Sequence, residues 1–148
     1  SPKGTDSFKV LDTNTIAWLN VTGSGNETAA HVLSHPRMTI MFAAFEGTPM
    51  ILRLYGQAVA VHHNDEEWSD LYSKFTPAAG ARQIFKMSID MVQTSCGMSV
   101  PFFDYVEERD QLKNWAEKKG GEGIKDYWKE NNQQSLDGIE THILEKNI

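Results

Sequence analysis

Strand-like segments fill the first two-thirds of this chain and helical ones its end, an order that points to an α+β fold built on an antiparallel sheet. Residues 8–11 and 15–21 read as two short strands about a turn at Asp12-Thr13-Asn14. In the second, Ile16, Trp18 and Asn20 alternate with Ala17, Leu19 and Val21, the period of a strand rich in β-branched and aromatic residues. Residues 37–45 are apolar at both alternating positions, which predicts a strand buried on both faces. A longer strand covers 49–63, with Ile51, Arg53 and Tyr55 on one face and Leu52 and Leu54 on the other. Gly56 interrupts it and predicts a bulge or a close approach. A last strand lies within 83–95, where Met87, Ile89, Met91 and Gln93 alternate.

Helical signals are brief until the tail. A glycine-rich break at Thr22-Gly23-Ser24-Gly25 leads into a short helix over 26–34, packed through Ala29, Ala30, Val32 and Leu33 and closed before Pro36. Asp65-Glu66-Glu67 opens another, since acidic residues suit the positive end of the helix dipole; it runs to about residue 75. Residues 97–101 read as a loop. Beyond it Leu112, Trp115 and Ala116 form an i, i+3, i+4 stripe, Gly120-Gly121 breaks the helix, and Ile124, Tyr127 and Trp128 repeat the spacing. Residues after 133 are polar and are expected to fray. A chain of 148 residues is expected to form one domain, 1–148, without repeats or linkers.

Composition narrows function by exclusion. The net charge of −6 and the lack of any dense basic run argue against nucleic acid, whose phosphates need a basic face. No stretch is long and apolar enough to span a membrane, and the first residues have no signal-peptide core. Cys96 is the single cysteine, so an internal disulfide is impossible and a reducing, cytoplasmic setting is expected. In such a setting the sequons at Asn20 and Asn26 read as chance.

The segment richest in chemistry runs from Trp18 to Thr28: a strand, a loop of small residues, then a helix start. Such an end offers unpaired backbone N–H groups and partial positive charge, which suit a phosphate. Gly23 and Gly25 allow close approach, and Thr22, Ser24, Asn26 and Thr28 can add donors. The competing reading is a plain helix start, because Ser24 and Glu27 fit a Ser-x-x-Glu capping box that would use the same donors. Glu27 opposes an anion unless a cation compensates, and Lys3 is a candidate.

These pieces, taken in order, resemble a known family. Ser1-Pro-Lys-Gly4 with Phe8-Lys-Val-Leu-Asp12, Thr22-Gly-Ser-Gly-Asn-Glu-Thr28, Arg37-Met-Thr-Ile-Met-Phe42, Leu52-Arg-Leu-Tyr-Gly56 and Gly80-Ala-Arg-Gln-Ile84 are similar to the pyridoxamine 5′-phosphate oxidase-like flavin mononucleotide (FMN) proteins. Val92-Gln-Thr-Ser-Cys-Gly97 with Val100-Pro-Phe102, Glu108-Arg-Asp110 and Trp115-Ala-Glu-Lys-Lys119 resemble one uncharacterised branch, so the likeness runs from residue 1 to about Gly138. The resemblance implies an antiparallel split β-barrel with peripheral helices and a helical C-terminal tail, and a homodimer holding FMN at its interface. It implies phosphate contacts from Lys3, Ser24, Asn26 and Thr28. The flavin ring would lie beside the strands at Asn20, Val21 and Thr22 and at 52–56, with the second subunit completing the site. Gln93, Ser95, Cys96 and Gly97 are candidates for ring or partner contacts. Where the vitamin-oxidising members carry arginine and lysine this chain has Glu27 and Thr28, which argues against turnover of pyridoxamine phosphate. The family's opening helix and first strand have no counterpart before Ser1, so a truncated or short member is expected.

Other residues carry a bland reading beside the sharp one. Arg53 is either paired within the barrel or a ligand contact; Arg82-Gln83 is either a flavin-side contact or loop charge. Cys96 has no evident base and reads as a buried, inert thiol. His31 and His35 have i, i+4 spacing, but no zinc motif accompanies them or His62-His63, so no metal is expected. The tryptophans of the tail read as helix packing and its lysines as a solvated face. The functional expectation is an FMN-dependent oxidoreductase of unknown substrate, with the flavin carrying the chemistry and no general acid or base named. The alternative is a flavin- or haem-binding module for storage or sensing.

Overall fold

A computed structural model describes residues 4–148. Five strands form one antiparallel sheet: β1 (Phe8–Val10), β2 (Thr15–Val21), β3 (Arg37–Ala43), β4 (Met50–Val61) and β5 (Ala81–Cys96), in the order β1-β2-β5-β4-β3. The helices are α1 (Glu27–Ser34), α2 (Trp68–Tyr72), α3 (Gln111–Asn131) and α4 (Ile143–Asn147). This is the α+β class that the element order predicts. β1 and β3 are the edges, and no ladder joins them among the described residues. The sheet is nonetheless curled, because Phe8 on β1 meets Phe42 on β3 edge-on with ring centroids 5.3 Å apart.

Alternation explains which faces are covered. The β1–β2 turn is held by Asp12, whose Oδ1 accepts the Asn14 N–H at 2.8 Å. On β2, Ile16 and Trp18 face one core with Phe85, Met87, Leu54 and the α1 residues Ala29 and Val32. Ala17 and Leu19 face a second core with Val61, Ile84, Leu71 and Phe75. Each large apolar side chain so buried contributes about 1.5–3 kcal/mol. Gly56 sits at a register shift between β4 and β5, the bulge its position predicts. A Cβ there would lie 1.9 Å from the Ser88 carbonyl oxygen, so only glycine allows this backbone approach.

Three expectations are corrected. β3 is an edge strand rather than one buried on both faces: Met41 and Phe42 are 58% and 40% exposed. An apolar period on both faces fits a covered strand, but alternation alone does not tell whether both faces meet the core. Leu33 is exposed rather than packed under α1. The polar tail does not fray. Asn132, Ser135, Thr141 and Asn147 are buried because their polar groups are satisfied internally, as where Thr141 Oγ donates to the Asn132 carbonyl at 2.7 Å. Ile143 joins Ala116, Ile124 and Trp128 in a third core, fed by both predicted stripes of α3. Gly120 breaks α3 with φ 65° and ψ 174°, a conformation open essentially to glycine alone. No helix among the described residues is long and apolar enough to cross a membrane.

His62 ties the tail to β4 and makes the fold acid-sensitive. It is fully buried, and Asn147 Nδ2 donates to its Nδ1 at 3.0 Å while Asn147 Oδ1 accepts the His63 N–H at 2.9 Å. The proton therefore sits on Nε2, which has no partner. Burial, aided by Lys146 and opposed by Asp65 and Asn147, lowers its pKa from 6.5 to about 4. Between those values the unfolded chain binds a proton that the folded protein refuses. Stability is thus complete above pH 6.5 and falls towards pH 4, by about 3 kcal/mol from this group. Urea midpoints measured from pH 7 to pH 4.5 are expected to show that fall, and His62→Gln is expected to shrink it. A slope identical in the variant would place the sensitivity elsewhere.

Candidate functional site

Where β2 ends, the chain passes through Thr22-Gly-Ser-Gly-Asn26 into α1, and beside this turn lies a cavity of about 450 Å³. That volume is in the range of small-molecule and cofactor sites. Asn20, Val21, Thr22, Ser24, Asn26 and Thr28 all line it, so the candidate residues of this segment come together at one cavity. Trp18, Glu27 and Arg82 complete much of its wall. Lys3 lies outside the described residues.

The loop is held from behind. Thr22 donates through both its N–H and its Oγ to the Gly80 carbonyl, each at 2.8 Å, while its Oγ accepts the Trp128 indole N–H at 2.8 Å. Asn26 Oδ1 accepts from Gln83 Nε2 at 2.7 Å and its Nδ2 donates to the Asn132 carbonyl at 3.3 Å. Asn132, from the end of α3, donates to the carbonyls of Gly23 and Ser24 at 3.0 and 3.4 Å. The side chains of Thr22 and Asn26 therefore shape the loop. What remains for a ligand is backbone, the exposed Ser24 and the half-buried Thr28.

The capping-box alternative does not form. Asn26, not Ser24, precedes the first turn of α1, and no side chain caps it. Glu27 instead accepts the Leu136 N–H at 3.0 Å. The amides of Glu27 and Thr28 have no partner among the described residues. This is the donor-rich, partially positive end that binds anions.

Arg82 is the residue that sequence reasoning left undecided. It is 3% exposed on β5, with Nη1 donating to the Gly25 carbonyl at 3.0 Å and to Asn132 Oδ1 at 2.9 Å. Its Nε has no partner, and among the described residues no carboxylate pairs with it. Burial lowers its pKa from 12.5 to about 10, with Tyr127 opposing, so it stays charged at neutral pH. Gln83 beside it is buried too, and neither is loop charge. The signal in the sequence was an arginine entering a strand directly after Gly80-Ala81.

The other candidates lie elsewhere. Arg53 is half-buried on β4 and donates to Ser95 Oγ at 2.9 Å; Gln93 accepts the Tyr55 hydroxyl at 3.0 Å. Asn20 pairs with Gln83 and Arg53 with Gln93, positions ten residues apart on β5. At the rise of a strand that is about 33 Å. The two sets of candidates thus occupy opposite ends of one strand. Cys96 is exposed at the far end of β5, correcting the expectation of a buried thiol.

Comparison with known proteins gives the family. A family model described as pyridoxamine 5′-phosphate oxidase matches residues 1–96, and the chain belongs to that family. It is 33% identical over 156 aligned residues to the pyridoxamine 5′-phosphate oxidase family protein ustO of Aspergillus flavus, covering 94% of this chain and 63% of that protein. The chain therefore spans under two-thirds of that relative's length. Two crystal structures of HupZ from Group A Streptococcus are also similar, one a point variant. The variant has a TM-score of 0.48 at 12% identity, covering 60% of this chain and 73% of that one. The other has a TM-score of 0.45 at 12% identity, covering 58% and 66%.

Asn132 lies beyond the matched residues yet holds the loop, which makes it a sensitive test of the network. Asn132→Ala leaves two loop carbonyls without this donor and Arg82 with one partner fewer. It is expected to cost about 3 kcal/mol in urea unfolding, since each orphaned buried group costs about 1–3. A loss below about 0.5 kcal/mol, the size of a plain surface change, would show that the loop does not depend on it.

Proposed function

We propose that this protein is an FMN-dependent oxidoreductase of the pyridoxamine 5′-phosphate oxidase class, a split-barrel homodimer with the flavin phosphate at the start of α1. The observation that carries the reading is Arg82, a buried cation with a cavity beside it and, among the described residues, no partner for its Nε and no paired carboxylate. A buried charge in that state is costly, and an anion against the α1 amides would offset the cost. The residues fit a phosphate monoester: the amides of Glu27 and Thr28, the hydroxyls of Ser24 and Thr28, and Arg82 behind the loop. When bound, the flavin supplies two-electron redox chemistry; the chain binds it, orients it and limits its contact with water. Within one chain the cavity lining holds no His, Cys, Met or Tyr among the described residues, so this wall offers haem no axial ligand, which supports the flavin reading.

A second copy is needed if both sets of candidate residues serve one site. One chain separates Asn20 from Arg53 by most of the length of β5, so they can meet only across two subunits. The far ends of β3 to β5 are suited to that role, since Met41, Met50, Met91 and Val92 are 48–58% exposed there. Arg53, Gln93 and Ser95 would then approach the partner's loop.

Arg82→Met, which keeps length and loses charge, is expected to weaken FMN about ten- to a hundredfold by fluorescence quenching, the worth of a charged hydrogen bond. Arg82→Lys should retain part of the affinity, and circular dichroism checks that both variants fold. Parent-like FMN affinity in a folded Arg82→Met would remove the phosphate assignment. Bleaching of the bound flavin by a nicotinamide donor without air tests turnover. Separately, Val92→Asp is expected to give a monomer by light scattering that has lost FMN; a monomer that keeps the flavin would show the site is complete in one chain.

A further inference from the structure

Outside the phosphate cradle, one cluster of side chains joins elements distant in sequence. Glu27 and His31 lie one turn apart on α1, so they share a face. Asp137 is brought to them by the turn that closes at the Gln134–Glu140 bridge, 106 residues from His31. Ligand atoms of all three lie within 4.8 Å of one another.

The spacing is informative. His31 Nε2 is 3.3 Å from both Asp137 Oδ1 and Asp137 Oδ2. The pair meets as a long hydrogen bond, whereas a charge-assisted one is shorter, about 2.7–2.9 Å. By contrast, metal bonds of about 2.0–2.1 Å in a tetrahedron put neighbouring ligand atoms about 3.3–3.4 Å apart. Both carboxylates are also braced from outside, Asp137 by the Ser135 hydroxyl and Glu27 by the Leu136 N–H at 3.0 Å. Such outer hydrogen bonds are what orient metal ligands. His31 and Asp137 are exposed, leaving room for water to complete the coordination.

We propose that Glu27, His31 and Asp137 form a site for a divalent transition-metal ion, with one imidazole and two carboxylates of the borderline type that takes Zn²⁺ or Co²⁺. The ion fastens the start of α1 to the 134–140 turn. Its second effect rests on the phosphate reading above: Glu27 lines the cavity, and a bound cation neutralises the one charge on α1 that opposes an anion there.

Calorimetry of the untagged, chelator-stripped chain with Zn²⁺, and visible spectra with Co²⁺, test the site without any flavin. One equivalent is expected to bind, with tetrahedral cobalt bands, and the melting temperature is expected to rise with the logarithm of free Zn²⁺ above its dissociation constant. His31→Gln and Asp137→Asn, both at the surface, should each weaken Zn²⁺ by at least about tenfold, because loss of an outer partner alone costs that much. Absence of saturable Zn²⁺ binding, or binding equal in both variants, overturns the site. FMN titrated with and without Zn²⁺ then tests the coupling, expected to be at least about fivefold. If Zn²⁺ binds as described but FMN never does, the metal site stands and the phosphate reading falls. If both bind independently, the coupling is overturned.

Discussion

The site depends on a positive charge that is almost wholly buried, in the wall of the cavity. Arg82 enters from the start of β5, beneath the glycine loop, and gives its hydrogens to a loop carbonyl and to Asn132. These partners are neutral, so the charge is solvated but not cancelled. That asymmetry turns an ordinary strand–loop–helix connection into a candidate anion site. The same arginine fixes the loop, so rigidity and charge come from one residue.

The rest of the network serves that arrangement. Gln83, Asn26, Asn132, Trp128 and Thr22 are linked in that order by hydrogen bonds. Three of these belong to the strand–loop segment and β5, and two to α3. The family model ends at residue 96, yet the loop it contains is braced by a helix that begins at Gln111. Buried polar networks of this kind are favourable only when nearly all members are paired, which makes the tail part of the site rather than an appendage.

Much of the fold was legible because the apolar period changes from two to about three and a half along the chain. The β1–β2 hairpin, the bulge at Gly56 and the break at Gly120 each followed from a local rule about turns or glycine. The cavity lining at 20–28 was legible for the same reason, as a glycine-rich loop between a strand and a helix. Less could be read where a residue's role depends on something remote. β3 looked like an interior strand because it is apolar at both alternating positions, yet Met38 and Ile40 pack on the core while Met41 and Phe42 stay exposed. Residues 133–148 looked frayed because their polar side chains find partners only after α3 has folded back.

The sequence by itself determined the class of fold, the place of the glycine-rich loop that lines the cavity and the family, since all three rest on short-range pattern. Tertiary structure alone decided that Arg82 stands under that loop, that Asn132 holds it, and that Arg53 lies a strand's length away. It also brought Asp137 to His31. The reason is that local propensity acts over a few residues, whereas these pairings are set by strand register and by a helix docking across the sheet, with 50 residues or more between most of the partners.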